Sequence, residues 1–208
     1  MELKLPYRIF AVDPATGKSG WAVLDIVSLH PLKVNIVATG QLEGDKLVRL
    51  YKDMALIYQR QFTIVAALFT EYTRLLLEHK PDAVASEGAF GYNHMSAFLA
   101  ISLAIHELRR ACQQVLNKDI VLIPPTISKK SATGSGGADK DLMRLAYQTA
   151  DYLTGIVPDD LISEHEIDAI WHGIGYIKRD ILQVISQVSA KEVKAAKRLK
   201  QKQKENKG

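Results

Sequence analysis

The chain has 208 residues, 47% of them hydrophobic, which suits one domain with a sizeable core and is too short for two. The single cysteine, Cys112, excludes an internal disulfide, and we expect it in the core of a protein from a reducing, cytoplasmic setting. An acidic residue and a proline interrupt the apolar run at the N-terminus, so the sequence predicts neither a secretory signal nor a membrane span.

The net charge of +4 is unevenly distributed. Residues 191–208 carry eight lysines and arginines against two glutamates, which leaves the preceding chain slightly acidic. We therefore expect a globular domain over residues 1–187 and a basic, flexible tail over residues 188–208. Such a tail either keeps the protein in solution or attracts nucleic acid.

The first part of the chain predicts three strands and a long helix. Residues 7–13, 20–27 and 33–40 are short β-rich runs, which indicates an antiparallel meander. Apolar residues then recur at three- and four-residue steps over residues 47–79, the period of one amphipathic helix.

Strands and helices alternate in the second part. The predicted elements are a strand ending at Glu87, a helix over 95–116, a strand over 119–124, a polar Gly-rich loop over 128–137, a helix over 138–153 and a last helix from Glu164. This order predicts an α/β fold with a mixed five-stranded sheet, an antiparallel meander followed by parallel strands, and helices on both faces.

Three acids are notable for their positions. Asp13 ends the first strand, Glu87 ends the fourth, and Asp168 lies in the first turns of the last helix. Functional groups collect at strand ends in α/β sheets, and clustered carboxylates need a cation such as Mg²⁺ or Mn²⁺. The alternative is that each is an ordinary strand-end or helix-start acid.

Two phosphate-binding patterns are incomplete. The GKS at 17–19 lacks the first glycine of a P-loop and precedes a strand-like run, and the GSGG at 134–137 lacks dinucleotide-binding spacing. We reject both, and expect the second run to be a flexible loop.

Four longer motifs contain these acids. They are AVDPATGKSGWAVLD with Asp13, ASEGAF with Glu87 and Phe90, the basic segment from Lys129 to Lys140, and HEIDAIWHGIGY with His165 and Asp168. In this order, and over most of the chain from residue 8 to about 178, they resemble the motifs of the RuvC family of Holliday junction resolvases, which are ribonuclease H-like nucleases.

The resemblance implies a ribonuclease H-like fold whose active site holds two Mg²⁺ ions, with Mn²⁺ able to substitute. The implied catalytic and metal-binding residues are Asp13, Glu87, His165 and Asp168. The ions would hydrolyse a phosphodiester to 5′-phosphate and 3′-hydroxyl ends. His165 stands where the family often has Asp, and imidazole suits Mn²⁺ better than Mg²⁺. A neighbouring Glu164 or Glu166 could also bind metal.

The resemblance also implies how DNA is held. Lys129 and Lys140 would bind phosphates, and Phe90 would stack on an unpaired base; the alternatives are solvated lysines and a core phenylalanine. We expect a homodimer that nicks two strands of a four-way junction symmetrically. Two other interpretations stay open: a nuclease of the same fold acting on other branched DNA or RNA–DNA hybrids, and a catalytically silent DNA-binding homologue.

Overall fold

The computed structural model describes residues 3–89, 95–183 and 186. Its strands are β1 (Tyr7–Asp13), β2 (Lys18–Leu29), β3 (Leu32–Glu43), β4 (Ala83–Glu87), β5 (Val121–Ile123) and β6 (Leu153–Thr154). Its helices are α1 (Gly44–Leu50), α2 (Lys52–Ile57), α3 (Arg60–His79), α4 (Met95–Leu116), α5 (Pro125–Thr133), α6 (Lys140–Thr149) and α7 (Glu164–Tyr176), and a π-helical turn over Ile177–Ile181 extends α7.

The strands form one mixed sheet in the order β5-β4-β1-β2-β3-β6. β1, β2 and β3 are the predicted antiparallel meander, and β4 and β5 continue the sheet in parallel with β1. The prediction of five strands was one short, because β6 adds two residues in parallel with β3. A two-residue strand leaves no periodic pattern in the sequence.

Buried side chains of β1 divide the core into two layers. Phe10 and Val12 pack on one face with α3 and α4, while Ile9 packs on the other face with α7. Both faces of β1 are therefore covered, which explains its uninterrupted apolar run. Cys112 is fully buried in the α3–α4 layer, as expected for a core residue.

The single helix predicted over 47–79 was wrong, because the chain forms three helices there. The backbone leaves the helical conformation at Tyr51 and again at Tyr58. The Tyr51 hydroxyl donates to Glu71 on α3, 2.7 Å away, and this bond holds α1 and α2 back against α3. Helix α2 buries none of its side chains. Its apolar residues fit the helical period but do not face the core, which is why the period suggested one continuous helix.

The loop predicted over 128–137 was also largely wrong. Helix α5 occupies its first half, beginning with Pro125 at the first helical position and ending at Gly134, whose positive φ closes the helix. The next helix, predicted over 138–153, ends at Thr149, where the chain turns towards β6.

Within the described residues, no helix is long and apolar enough to cross a membrane. Residues 188–208, predicted to form a tail, lie outside the described part of the chain.

Candidate metal centre

The acids at the ends of β1 and β4 meet at one edge of the sheet. β1 and β4 are parallel neighbours in which Val12 pairs with Ser86, so Asp13 and Glu87 follow at adjacent positions. Helix α7 packs across β1 and β2 and brings its first turns to the same edge. The predicted convergence of two strand-end carboxylates is thus what the topology produces.

Gly20 on β2 allows α7 to come this close. A Cβ atom at Gly20 would lie 2.1 Å from the backbone oxygen of His165, so any larger residue would displace the start of the helix. Gly20 pairs with Asp13 across the β1–β2 ladder. Gly20, the second glycine of the first motif, therefore has a packing role: it sets the distance between α7 and the end of β1.

A capping box fixes where α7 begins. The Ser163 hydroxyl accepts from the backbone N–H of Glu166, and the Glu166 carboxylate accepts from the backbone N–H of Ser163 at 3.0 Å and from its hydroxyl at 2.7 Å. Glu166 is thereby engaged in the cap and turned away from the role of metal ligand considered for it.

Asp13 lies between two histidines of α7. Its Oδ2 is 2.8 Å from Nδ1 of His165, and its Oδ1 is 3.9 Å from Nε2 of His172. Ligand atoms of Asp13, Glu87 and His172 all lie within 4.8 Å of one another. His172 is buried, and its Nδ1 is 2.7 Å from the hydroxyl of Ser128 on α5.

Burial and the carboxylate of Asp13 shift the pKa values of the neighbouring side chains on α7. Burial, followed by repulsion from Asp13, raises the pKa of Asp168 to about 6. The hydrogen bond to Asp13 raises the pKa of His165, whereas burial lowers the pKa of His172 to about 4. Asp168 is therefore close enough to Asp13 for the two negative charges to oppose each other, which is the situation that a bound cation relieves.

Lys140 is the basic residue that the structure brings to this centre. Its ammonium is 2.8 Å from a carboxylate oxygen of Glu164, and this bond raises the pKa of Lys140. Glu164, the other residue considered as an additional metal ligand, is therefore paired with Lys140. The charges of Asp168 and Asp13 act on it in the same direction. Lys129 lies on α5, half-buried, next to Ser128. Phe90 lies outside the described residues.

The donor set fits a divalent cation. Ligands of one octahedral Mg²⁺ or Mn²⁺ ion lie about 3 to 4 Å apart, because each is about 2 Å from the ion. The spacing of Asp13, Glu87 and His172 is close to that range, and carboxylate oxygens with imidazole nitrogens suit Mn²⁺ as well as Mg²⁺. The described residues thus contain an acidic cluster of the divalent-metal type.

His172 is the member of this cluster that the sequence patterns did not single out. It follows Asp168 by four residues and His165 by seven, so the three share one face of α7. That spacing could have indicated His172 as a further ligand. It did not, because His172 lies in a run of buried apolar residues, where a histidine resembles a core position.

Sequence comparisons find resolvases. No family model matches the chain. A crossover junction endodeoxyribonuclease RuvC from Thermosipho melanesiensis is 28% identical over 133 residues, which cover 64% of this chain and 75% of the relative. A second, from Rickettsia prowazekii, is 25% identical over 165 residues, which cover 78% of this chain and 91% of the relative.

Structural comparisons find the same fold. Thermus thermophilus RuvC in complex with a Holliday junction substrate matches with a TM-score of 0.63 and 16% identity, over 82% of this chain and 92% of that one. The yeast mitochondrial Holliday junction resolvase matches with a TM-score of 0.59 and 10% identity, over 92% of this chain and 86% of that one.

The mixed sheet with carboxylates at its edge defines the class, an α/β protein of the ribonuclease H-like fold. Within that class, the chain is similar in sequence to RuvC crossover junction endodeoxyribonucleases, at 25–28% identity, and shares the fold of RuvC.

Proposed function

We propose that this protein is a structure-selective DNA endonuclease that resolves four-way junctions in DNA recombination and repair. The observation that carries the proposal is the convergence of Asp13 and Glu87 with the histidines of α7 at one sheet edge. The RuvC relatives, each named a crossover junction endodeoxyribonuclease, support the choice of substrate.

Asp13, Glu87, His165 and Asp168 are the proposed holders of two Mg²⁺ ions, for which Mn²⁺ can substitute. When bound, the ions supply an activated water for in-line attack and stabilise the leaving 3′ oxygen, which yields 5′-phosphate and 3′-hydroxyl ends. The chain's own contribution is to hold these four side chains in place: β1 and β4 position Asp13 and Glu87, and the capped start of α7 positions His165 and Asp168.

Lys140 and Lys129 are proposed to position the DNA backbone without reading sequence. The pairing of Lys140 with Glu164 keeps its ammonium beside the acidic cluster, where a scissile phosphate would arrive. Phe90, three residues after Glu87, is proposed to stack on an unpaired base at the crossover, since an aromatic face accepts any base.

We further propose that the protein acts as a homodimer. A four-way junction offers two equivalent strands, and a two-fold dimer would present one acidic cluster to each. Met95, Phe98 and Leu99, near the start of α4, expose 80%, 39% and 56% of their surface, and such neighbouring apolar side chains on a monomer favour self-association.

Cleavage of labelled four-way, three-way, flap, duplex and RNA–DNA hybrid substrates, with Mg²⁺ or Mn²⁺, tests the proposal. We expect paired, symmetric nicks in the four-way junction. Asp13→Asn and Glu87→Gln should each lower cleavage by at least about 100-fold, since a displaced ion no longer activates water. Both variants should still bind the junction, and Asp160→Asn, an exposed acid outside the cluster, is the matched control.

Three outcomes would contradict the proposal. Near-normal cleavage by Asp13→Asn or Glu87→Gln would exclude the metal-dependent mechanism. Preferential cleavage of hybrids or flaps would identify another substrate for the same fold. Junction binding without cleavage of any substrate would identify a silent homologue.

A further inference from the structure

We infer that His172 is a second imidazole ligand of this metal centre, that Ser128 orients it, and that it shifts the centre's preference from Mg²⁺ towards Mn²⁺. The inference rests on the metal centre of the proposed function and adds a residue outside its predicted ligand set. It is carried by the positions of the two ring nitrogens of His172.

The Nε2 atom of His172 points to the carboxylates. It is 3.9 Å from Oδ1 of Asp13, and His172 belongs with Asp13 and Glu87 to a group whose ligand atoms lie within 4.8 Å of one another. A separation of 3.9 Å exceeds hydrogen-bond length, but it matches two ligands of one ion, which lie about 3 to 4 Å apart. The geometry thus leaves room for a cation between nitrogen and oxygen.

The other ring nitrogen is held from behind. Nδ1 is 2.7 Å from the hydroxyl of Ser128, and both side chains are buried. A histidine that binds metal through one nitrogen is commonly oriented by a hydrogen bond at the other, which fixes its tautomer and ring direction. When Nδ1–H donates to the Ser128 oxygen, the lone pair of Nε2 is directed at the carboxylates.

Helix packing makes this orientation rigid. A Cβ atom at Gly175 would be 3.1 Å from Ile123 on β5 and in van der Waals contact, at 3.5 Å, with the Ser128 hydroxyl oxygen, so α7 packs closely against both β5 and α5 here. His172 is buried in this packed region, and rotation of its ring would break the hydrogen bond to Ser128. A histidine with only a packing role would need no alignment with two carboxylates, which is why we assign it to the centre.

A second imidazole has a consequence for metal choice. Oxygen ligands suit Mg²⁺, whereas each imidazole raises the relative affinity for later divalent ions such as Mn²⁺. With His165 on Oδ2 of Asp13 and His172 on Oδ1, two imidazoles face the cluster. We expect Mn²⁺ to bind more tightly than Mg²⁺, and the difference to depend on His172.

The test counts imidazoles directly. Pulsed electron paramagnetic resonance of Mn²⁺ bound to the full chain, with ¹⁵N-labelled histidine, should show two coupled imidazole nitrogens. His172→Gln and His165→Gln should each show one. His106→Gln, an exposed histidine on α4, is the matched control and should show two. A single coupled imidazole in the unmodified protein would overturn the inference, and this measurement does not depend on the folding of any variant.

Calorimetric titration of Mn²⁺ and Mg²⁺ gives the selectivity. His172→Gln should weaken Mn²⁺ binding by about tenfold or more and Mg²⁺ binding by less, and Ser128→Ala should move the ratio in the same direction. Unchanged Mn²⁺ affinity in a folded His172→Gln variant would also overturn the inference. Junction cleavage is measured in parallel: two imidazoles without cleavage would refute only the proposed function, and cleavage with one imidazole would refute only the inference.

Discussion

Each carboxylate oxygen of Asp13 faces a different histidine. The contact with His165 at 2.8 Å compensates the charge of Asp13, whereas burial and the charge of Asp13 raise the pKa of Asp168 to about 6. Desolvation and repulsion thus both disfavour the ionised form of Asp168. A bound cation would relieve this repulsion and favour the ionised form of Asp168.

Asp168→Asn should therefore stabilise the metal-free protein at neutral pH. The pKa of Asp168 is raised in the folded state, so its stabilising effect is complete below pH 4 and is lost as the pH rises through about 6. The rise in the pKa of Asp168 from its usual value near 4 to about 6 corresponds to about 2 to 3 kcal/mol of unfolding free energy. In chelator, the variant should unfold at higher denaturant than the unmodified chain at pH 7.5, with the difference vanishing near pH 4.

Asp160→Asn serves as the control, because Asp160 is exposed. Its stability difference from the unmodified protein should not change over the same pH range. A constant difference for Asp168→Asn as well would show that Asp168 ionises in the folded state as it does in the unfolded chain.

Phe90→Ala should lower junction cleavage while leaving folding and Mn²⁺ binding unchanged. Stacking on one base contributes roughly 1–3 kcal/mol, so cleavage at limiting enzyme should fall by between about fivefold and 150-fold. Thermal unfolding and single-turnover cleavage measure the two effects separately. Phe62→Ala, an exposed phenylalanine on α3, is the control, and an unfolded Phe90 variant would place Phe90 in the core instead.

At the scale of elements, those with a local sequence pattern were largely predictable, and those that depend on contacts between distant residues were not. The meander, β4, α4 and the start of α7 follow from alternation, apolar periodicity and a helix cap, which are local properties. The break after α1 falls at Tyr51, whose hydroxyl bonds to Glu71, 20 residues away, and a contact over that separation leaves no local pattern in the sequence. Helix α5 has one buried residue, Ser128, so its polar composition indicated a loop.

The site divides in the same way. Asp13 and Glu87 could be placed because parallel neighbouring strands end at the same edge. His172 could not be placed, because its orientation depends on a contact with Ser128, 44 positions earlier in the chain. Ser128 lies on α5, in a segment that the sequence predicted to be a loop.

Gly20→Ala tests how the elements are spaced. The added Cβ would lie 2.1 Å from the His165 carbonyl oxygen, which must move because it belongs to the backbone of α7. We expect a loss of about 1–3 kcal/mol in unfolding free energy, typical of overpacking, and weaker Mn²⁺ binding as His165 and Asp168 shift away from Asp13. Denaturant unfolding and Mn²⁺ titration measure both.

Gly17→Ala, in the turn just before β2, is the matched control, since nothing lies within 4 Å of a Cβ there and its φ is not positive. This variant should be as stable as the unmodified protein or slightly more so, because alanine restricts the unfolded chain. Equal behaviour of the two variants would mean that the approach of α7 to β2 is not limited by Gly20.

At the scale of the whole molecule, charge is segregated along the chain. The acidic cluster lies in a slightly acidic body, and the described basic side chains near it are few, with Lys140 paired to Glu164. The eight basic residues after Ala190 are the largest local excess of positive charge in the sequence. Attraction of DNA over distance should therefore come from that segment, while strand placement comes from the centre.

Truncation after Ala190 should thus weaken junction binding without changing where the junction is cut. Each phosphate contact that is lost should reduce the slope of log affinity against log salt by about 0.9, because fewer counterions are released on binding. A full-length variant with glutamine at the basic positions of residues 191–208 should give the same reduced slope if charge is the cause, and the unmodified slope if chain length is. At saturating enzyme, the truncated protein should still cleave in a single turnover at the same positions, since Asp13, Glu87 and Asp168 all lie before residue 190. Complete loss of cleavage under that condition would mean that the nuclease domain extends beyond residue 187.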